Sequence, residues 1–319
     1  MPPKIKKNQS RSWNIIENCK RYNVPLWQCP NFLIIPIGFL NVIAMISSYY
    51  MATKYTSPEA VALVVIVIEF FFMIISYLII SGFEKLVESN RLKSEFVSIA
   101  SHQLRTPLTG IKWAVNLMTT EDLKGLSADQ KDRIETIKES NQRMIDLIND
   151  LLNVSRIEQD RLGLKSEEVN FKKLIKETIK EYKLIAEANN IKIATKISKK
   201  LPSVWADPEG IKLVLHNLID NAIRYSHKKG IVTILAKRKG KYVKCEIQDE
   251  GVGIPKEDQK RIFQKFFRSE NVMKYKTEGT GLGLFITKAT IEKLGGKIGF
   301  KSKEGEGTSF WFTLPINKK

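Results

Sequence analysis

Cysteine and histidine are scarce in this 319-residue chain, and basic residues outnumber acidic ones. It contains 3 cysteines and 3 histidines, and its 34 acidic residues against 52 basic ones leave a formal net charge of +18. Three cysteines exclude a disulfide framework, and their spacing matches no common zinc site. Hydrophobic residues make up 43% of the chain, which supports buried cores and excludes wholesale disorder. The length allows two domains, or three small ones.

Charged residues are nearly missing from two long blocks near the N-terminus. Residues 32–51 contain none, and residues 60–81 contain one, Glu69. Each block reaches the roughly 20 apolar residues that a helix needs to cross a bilayer core. A buried core helix is usually shorter and has a polar stripe, and a cleavable signal peptide would not follow 31 mostly polar residues. The sequence therefore predicts two membrane-spanning helices, 32–51 and 60–81.

The charges that flank these blocks predict their orientation. Basic residues are concentrated in the tail 1–31 and again after residue 81, whereas the segment between the blocks has one, Lys54. Because basic residues favour the cytoplasmic side, we expect a two-pass protein of the cell membrane with both termini in the cytoplasm. The cysteines, Cys19, Cys29 and Cys245, would then be reduced thiols. Since no face combines clustered basic and aromatic residues, the positive charge favours an anionic leaflet over nucleic acid.

Helical periodicity dominates residues 83–160. Apolar residues recur every three or four positions from about Phe83 to Met118 and from Asp129 to Asp160, with a loop at 119–128. Two such helices form a hairpin, and pairing with a second copy into a four-helix bundle would bury the remaining apolar stripe. The stretch from Gly82 to His102 has no room for a signalling linker, so one continuous helix should join the second span to the hairpin.

The pattern changes after about Leu164. Helical patterns at Phe171–Glu187, Glu209–Tyr225 and Thr287–Leu294 alternate with short β-rich runs, which predicts an α/β domain. The predicted strands are IKIATKI, IVTILAKR, YVKCEIQ and FWFTLP.

Several motifs combine residues suited to phosphate chemistry. His102 lies in SHQLRTPL, and Pro107 follows five residues later, where it can bend the helix and expose its neighbours. In LHNLIDNAIRYS, Asn217 and Asn221 are four residues apart and share one helix face, where amides can hold hydrated Mg²⁺ and phosphate oxygens. The motif ends in Arg224 and Tyr225, a cation for phosphate and a ring that can stack on a base.

Two glycine-rich motifs follow. In DEGVGIP, the carboxylate of Asp249 can accept an exocyclic amine, and Gly251 and Gly253 come directly after it. In GTGLGL, residues 279–284, alternate glycines lead into a helix, whose N-terminus favours anions. On its own such a glycine run is as often a plain turn as a phosphate loop.

Together these motifs resemble the sensor histidine kinases over residues 83–319. The H box (SHQLRTPL), N box, G1 box (DEGVGIP), F box (RIFQKFFR) and G2 box (GTGLGL) occur in the family's order. The resemblance implies an α+β multidomain protein with a dimerisation and histidine phosphotransfer hairpin at 83–160. Residues 165–319 would form an α/β sandwich of the Bergerat type, which binds ATP and is related to gyrase and Hsp90 ATPases.

The resemblance also implies roles for single residues. His102 would be the phosphoacceptor, Asn221 the Mg²⁺ ligand, and Thr106 a residue that orients water for phosphatase action. The ATP lid would run from about Lys256 to Glu278. The residues implied in nucleotide binding are Asn217, Asn221, Arg224, Tyr225, Asp249, Gly251, Gly253, Gly279, Thr280, Gly281, Leu282 and Gly283.

This sequence departs from the family pattern at two positions. Arg224 stands where the family usually has Lys, and Gln103 stands where it usually has Glu or Asp beside the phosphoacceptor. Gln103 can accept the imidazole N–H but brings no charge, so autophosphorylation is expected to be slower without being lost.

The sequence thus predicts a membrane-anchored homodimer that transfers a phosphoryl group from Mg-ATP to His102 and then to the receiver domain of a response regulator. A pseudokinase or phosphatase-type scaffold of the same fold is the main alternative, and a gyrase-like ATPase would have no use for the H box. The short exterior loop, 52–59, favours sensing within the membrane, where a lipid or small membrane protein is a candidate partner. Asn41 and Glu69 both lie near mid-bilayer, so a contact between them is possible within or between subunits, and it would serve either sensing or hydrogen bonding in the dimer.

Overall fold

The computed structural model describes residues 30–54, 57–120, 126–227, 229–269 and 279–317. The predictions for the basic tail, for Cys19 and Cys29, and for the second half of the lid lie outside these residues. The chain divides between Phe96 and Val97 into two compact units, which are taken separately below.

The first unit contains helix α1, Pro30–Thr53, and the start of the 63-residue helix α2, Pro58–Thr120. Within the described residues, one helical stretch, Pro58–Ser89, is long and apolar enough to cross a membrane, and the apolar stretch of α1, Ile35–Met51, is shorter. The predicted span at 60–81 is therefore supported. The predicted span at 32–51 is helical, but its apolar stretch does not reach the same length.

The polar contact between the two helices differs from the expected one. The side-chain amide of Asn41 donates to Ser76 Oγ at 3.3 Å, and Ser76 also bonds to the carbonyl of Phe72. Within one chain Asn41 therefore bonds to Ser76 and not to Glu69, because the depth of each residue in its own helix does not determine the register between helices. An Asn41–Glu69 contact between subunits stays a prediction. Glu69 is half-buried, and its Oε1 has no hydrogen-bond partner within the described residues.

The second unit begins with the predicted helical hairpin. Helix α2 continues through Pro107 to Thr120, and helix α3 runs from Ala128 to Glu158 after a capping box between Ser127 and Gln130. Leu108, Ile148 and Leu152 form a buried cluster between the helices. Part of the apolar stripe stays exposed in the single chain, as the four-helix-bundle expectation requires. Its members include Leu104, Ile111, Ile137, Met144 and Leu147.

A buried asparagine aligns the two hairpin helices. Asn141 is 2% exposed, and its amide donates to the carbonyl of Leu108 on α2 at 3.0 Å. Arg105 donates to Asn149 at 2.9 Å, and Lys112 donates to Gln142 at the same distance. A polar residue at one core position of a helical pair specifies its register, and Asn141 takes that place here.

The remainder is the predicted α/β domain. Its helices are α4 (Phe171–Ala188), α5 (Pro208–Tyr225) and α6 (Gly283–Lys293). Its strands are β1 (Glu167–Val169), β2 (Lys192–Ile197), β3 (Val204–Ala206), β4 (Ile231–Lys239), β5 (Tyr242–Asp249), β6 (Ile298–Lys303) and β7 (Gly307–Pro315). The four predicted strands are confirmed, and helix α6 begins four residues before the predicted Thr287.

One layer of helices covers one face of a five-stranded sheet ordered β2-β4-β5-β7-β6. Strand β2 pairs with β4 in parallel, and the other neighbours are antiparallel. Buried and half-exposed residues alternate along β5 and β7, because successive side chains point to opposite faces. Phe312, Ile234 and Ile247 on the buried face pack with Leu215 and Leu218 of α5 in one core. Short strands β1 and β3 form a separate antiparallel pair.

Candidate active site

The phosphoacceptor candidate lies on the surface of the hairpin. His102 and Gln103 are exposed on α2, while the preceding Ser101 is 1% exposed. The hydroxyl of Thr106 lies 3.5 Å from the backbone carbonyl oxygen of His102, one helical turn away. Helix α2 continues through Pro107, so the exposed imidazole lies within the helix.

The N-box residues occupy the C-terminal half of α5. This helix starts with Asp207, whose side chain accepts from the N–H of Gly210 at 2.7 Å, and with Pro208 at its first position. Asn217 donates to the carbonyl of Gly283 at 3.3 Å and to Thr287 Oγ1 at 3.2 Å, so its amide nitrogen ties α5 to α6. Asn221 is half-buried, one turn further on.

The two residues that end α5 have different surroundings. Arg224 forms an ion pair of 3.1 Å with Asp220 on its own helix. Tyr225 is half-buried, and burial raises the pKa of its phenol, while the nearby Arg224 and Arg268 oppose that shift. Its backbone carbonyl accepts from the N–H of Val252, which joins the end of α5 to the G1 box.

The G1 carboxylate is half-buried and hydrogen-bonded at the end of β5. Asp249 Oδ1 accepts from the N–H groups of Gly251 and Thr308, each at 3.1 Å. Burial raises the pKa of Asp249 to about 6, although the two N–H donors partly oppose that rise. Gly251 leaves no space for a side chain, because a Cβ there would lie 2.1 Å from the carbonyl oxygen of Tyr225. Gly253 follows with φ +65°.

The G2 loop lies between the F box and the start of α6. Gly281 adopts φ +68°, and a Cβ there would lie 2.8 Å from the backbone of Phe266, so both backbone conformation and space require glycine. Gly283 begins α6 beside Asn217, and Leu282 is fully buried. The loop residue Thr280 accepts from the N–H of Leu282 at 3.2 Å through its hydroxyl.

The structure therefore brings the N, G1 and G2 boxes together around Tyr225 and Gly279. A Cβ placed on Gly279 would lie 3.9 Å from the hydroxyl of Tyr225 and 3.8 Å from the guanidinium carbon of Arg268. Sequence reasoning quoted Arg268 within the F box but assigned it no role. Its position as the cation that ends the F box, within the predicted lid, was the available signal.

The G2 loop also contacts the second hairpin helix. The hydroxyl of Thr280 donates to Asp150 Oδ2 at 2.8 Å, and Leu282 packs with Val154 and Ile286. Lys265 pairs with Glu158, and Lys293 pairs with Asp160. Within the described residues, no recorded hydrogen bond or ion pair joins the imidazole of His102 to the nucleotide boxes. Sequence reasoning missed Asp150, because it belongs to no motif.

The other titratable groups have separate surroundings. His216, on the outer side of α5, lies 3.0 Å from Glu181 Oε2 and 3.2 Å from the hydroxyl of Tyr182. Cys245 is buried in the sheet, and burial raises its pKa to about 12, which makes it an inert thiol. Among the described residues, no group of three or more His, Cys, Asp or Glu side chains could hold a metal ion.

Comparison with known proteins finds two family profiles on this chain. Residues 92–160 match the His Kinase A (phospho-acceptor) domain. Residues 206–318 match the histidine kinase-, DNA gyrase B-, and HSP90-like ATPase.

Individual relatives are similar over the same region. The sensor histidine kinase GacS of Pseudomonas protegens is 34% identical over 238 residues, which cover 73% of this chain and 26% of GacS. The chain thus spans about a quarter of the length of that relative. The crystal structure of full-length ShkA with AMPPNP is 28% identical, with a TM-score of 0.58 over 69% of this chain and 45% of that one. The complex of ThkA with the response regulator TrrA is 24% identical, with a TM-score of 0.50 over 72% and 65%, and shows the shared fold.

Proposed function

Because the chain belongs to the sensor histidine kinases, we propose that it transfers the γ-phosphoryl group of Mg-ATP to His102 and then to an aspartate of a response regulator. The main supporting observation is the convergence of Asp249, Tyr225 and the G2 glycine loop at one site, which combines a carboxylate, a ring and a backbone phosphate cradle. We further propose 83–160 as the phosphotransfer hairpin and 165–319 as the ATP-binding domain.

The site residues fit the parts of a nucleotide. The carboxylate of Asp249 would accept the adenine amino group, and Tyr225 would lie beside the base. The backbone of the G2 loop and the N-terminus of α6 would face the phosphates, where helix N–H groups and dipole favour anions. Arg268 would add positive charge at the same end of the site. Asn221 would hold Mg²⁺, which neutralises phosphate charge when bound.

The transfer itself would be an in-line displacement at phosphorus. A ring nitrogen of His102 forms the new N–P bond with its lone pair as the bond between the γ-phosphorus and the bridging oxygen breaks, and ADP leaves with that electron pair. Gln103 would accept the remaining ring N–H and fix the tautomer, and the surplus proton would pass to solvent. Positioning and charge neutralisation supply most of the catalysis in such transfers.

The receiving partner would be a receiver domain that docks on the hairpin near the exposed His102. ThkA, which shares this fold, is known in complex with the response regulator TrrA. The exposed apolar stripe of the hairpin supports a homodimer formed through a four-helix bundle. We propose that the protein is anchored in the cell membrane by two spans, with both termini in the cytoplasm and a lipid or small membrane protein as the source of the signal.

One observation favours a second candidate, a phosphatase-type scaffold of the same fold. Gln103 supplies no charge beside the phosphoacceptor, whereas Thr106 retains the hydroxyl that phosphatase action uses. Incubation of the full chain in nanodiscs with labelled Mg-ATP separates the two functions. A kinase should acquire label that is labile in acid and stable in alkali, as a phosphorylated histidine is. A scaffold should acquire none and should still remove phosphoryl groups from a phosphorylated regulator.

A further inference from the structure

A carboxylate of the hairpin touches the loop that would cradle the nucleotide phosphates. Asp150 lies on α3, and its Oδ2 accepts a 2.8 Å hydrogen bond from Thr280, the second residue of the G2 loop. The Thr280 hydroxyl also accepts from the N–H of Leu282, so one side chain connects α3 to the backbone that leads into α6.

The surrounding contact is large enough to hold this arrangement. Val154 of α3 packs with the fully buried Leu282 and Ile286, and Ile157, Leu213 and Phe285 border the cluster. Further along the hairpin, Glu158 pairs with Lys265 and Asp160 pairs with Lys293. The G2 loop and α6 are therefore docked on the hairpin by an apolar cluster with polar contacts on both sides.

Asp150 is the unusual member of this contact. The other two acidic residues of this contact, Glu158 and Asp160, each pair with a lysine. Asp150 instead bonds to a neutral hydroxyl, and within the described residues it forms no ion pair. Burial raises the pKa of Asp150, and the nearby Asp146 raises it further, while the Thr280 hydrogen bond opposes both. The docked hairpin thus places negative charge beside the loop without a compensating cation.

We infer that Asp150 is a positioning residue that makes hairpin docking and ATP binding compete. This inference rests on the proposed function in one respect, that the anion at the G2 loop is the triphosphate of ATP. The docked Asp150 holds Thr280 towards α3 and repels the incoming phosphates. Bound Mg-ATP in turn weakens the Asp150–Thr280 contact, because coupling between two binding equilibria is reciprocal. A signal that moves the hairpin away from the G2 loop would raise nucleotide affinity.

The substitution Asp150→Asn tests the charge while keeping a hydrogen-bond acceptor for Thr280. In the full chain in nanodiscs, the Kd for Mg-AMPPNP should fall by about threefold to tenfold, the size of a like-charge repulsion near a protein surface. The difference should shrink as salt increases, since screening weakens the repulsion. In autophosphorylation assays the effect should appear in KM for ATP, because saturating ATP displaces the docked contact in both proteins.

Asp132→Asn is the matched control, because it removes the same charge from an exposed position on the same helix. It should leave the Kd unchanged. An Asp150→Asn Kd that is unchanged or higher would overturn the inference, and so would an equal effect of Asp132→Asn. If His102 never acquires label but Asp150→Asn still tightens AMPPNP binding, the proposed function fails and the inference stands.

Discussion

The side-chain amide of Asn217 donates a hydrogen bond to Thr287 Oγ1 at 3.2 Å. These two residues are 70 positions apart and join the N-box helix α5 to the helix that follows the G2 loop. The same nitrogen reaches the carbonyl of Gly283, so Asn217 holds the start of α6 in place. Its role in supporting the nucleotide stays a prediction, and the structure adds that it holds the end of the G2 loop against α5.

Replacing the phosphoacceptor is the most direct test. His102→Gln should abolish the acid-labile label from ATP and leave AMPPNP binding within about twofold, because His102 makes no recorded contact with the nucleotide boxes among the described residues. His227→Gln, at an exposed loop histidine, is the control and should label like the parent. Label retained on His102→Gln would place the phosphoacceptor elsewhere.

Restoring the family carboxylate should accelerate the reaction. Gln103→Glu should raise the autophosphorylation rate about tenfold, because a carboxylate stabilises the positive charge that develops on the imidazole. Single-turnover labelling at saturating ATP measures this step. Gln103→Ala should be slower than the parent if the amide orients the ring. A slower Gln103→Glu enzyme would show that the neutral amide suits this site better than a charge.

Nucleotide affinity should depend on pH through Asp249. Adenine binding needs the ionised carboxylate, so the Kd for Mg-AMPPNP should rise as pH falls below about 6, by about tenfold per pH unit. Asp249→Asn should bind more weakly at pH 7.5 and should lose this dependence between about pH 5 and 7. Titration calorimetry over that range measures both. An unchanged slope in Asp249→Asn would assign the titration to another group.

Asp249→Asn should weaken nucleotide binding but raise the stability of the fold, so a loss of binding can be distinguished from a loss of folding. The folded pKa of Asp249 lies above the unfolded value of 3.8, so its ionisation destabilises the fold increasingly as pH rises from about 4 to about 6. Asn keeps the oxygen that accepts from Gly251 and Thr308 and removes this cost. The nucleotide-free Asp249→Asn protein should therefore unfold at a higher temperature than the parent at pH 7.5. A lower Tm would mean that lost binding reflects a damaged fold.

The continuity of α2 predicts that signalling depends on helix phase. Two residues inserted at Glu88 should rotate the following segment by about 200° and fix the kinase in one output state. Seven inserted residues make about two full turns, which restores the phase, and should preserve regulation. A reporter of the response regulator's output, read with and without stimulus, measures this. If both insertions behave like the parent, the segment acts as a flexible tether.

Glu69 is expected to take part in sensing. Its Oε1 has no partner within the described residues, so a hydrogen bond to α1 does not account for the carboxyl group. Glu69→Gln keeps hydrogen bonding and removes titration, and both it and Glu69→Leu should lose signalling in membranes. If Glu69→Gln still signals and Glu69→Leu does not, the residue stabilises the dimer through a hydrogen bond instead. Parent-like signalling in both variants would exclude a sensing role.

Much of the fold could be predicted because it depends on local pattern. The hairpin helices, helices α4 and α5, and four of the seven strands found in the described residues follow from apolar periodicity and caps such as Asp207, which act within a few residues. Strands β1 and β3 have three residues each, too few for a periodic signal. Helix α6 begins at Gly283, a poor helix former, because Asn217 and the docked Leu282 hold it there.

The residues of the candidate site could also be predicted, since each box is contiguous in sequence and its residue types match its chemistry. The positions of the boxes relative to one another could not be predicted, because they depend on the folded chain. Burial raises the pKa of Asp249, and a hydrogen bond from Thr308, 59 positions away, opposes that rise. Within the chain, the register of α1 on α2 pairs Asn41 with Ser76 rather than Glu69. The contact between Asp150 and Thr280 spans 130 positions. Such pairs are set by the packing of whole elements, and no local pattern records them.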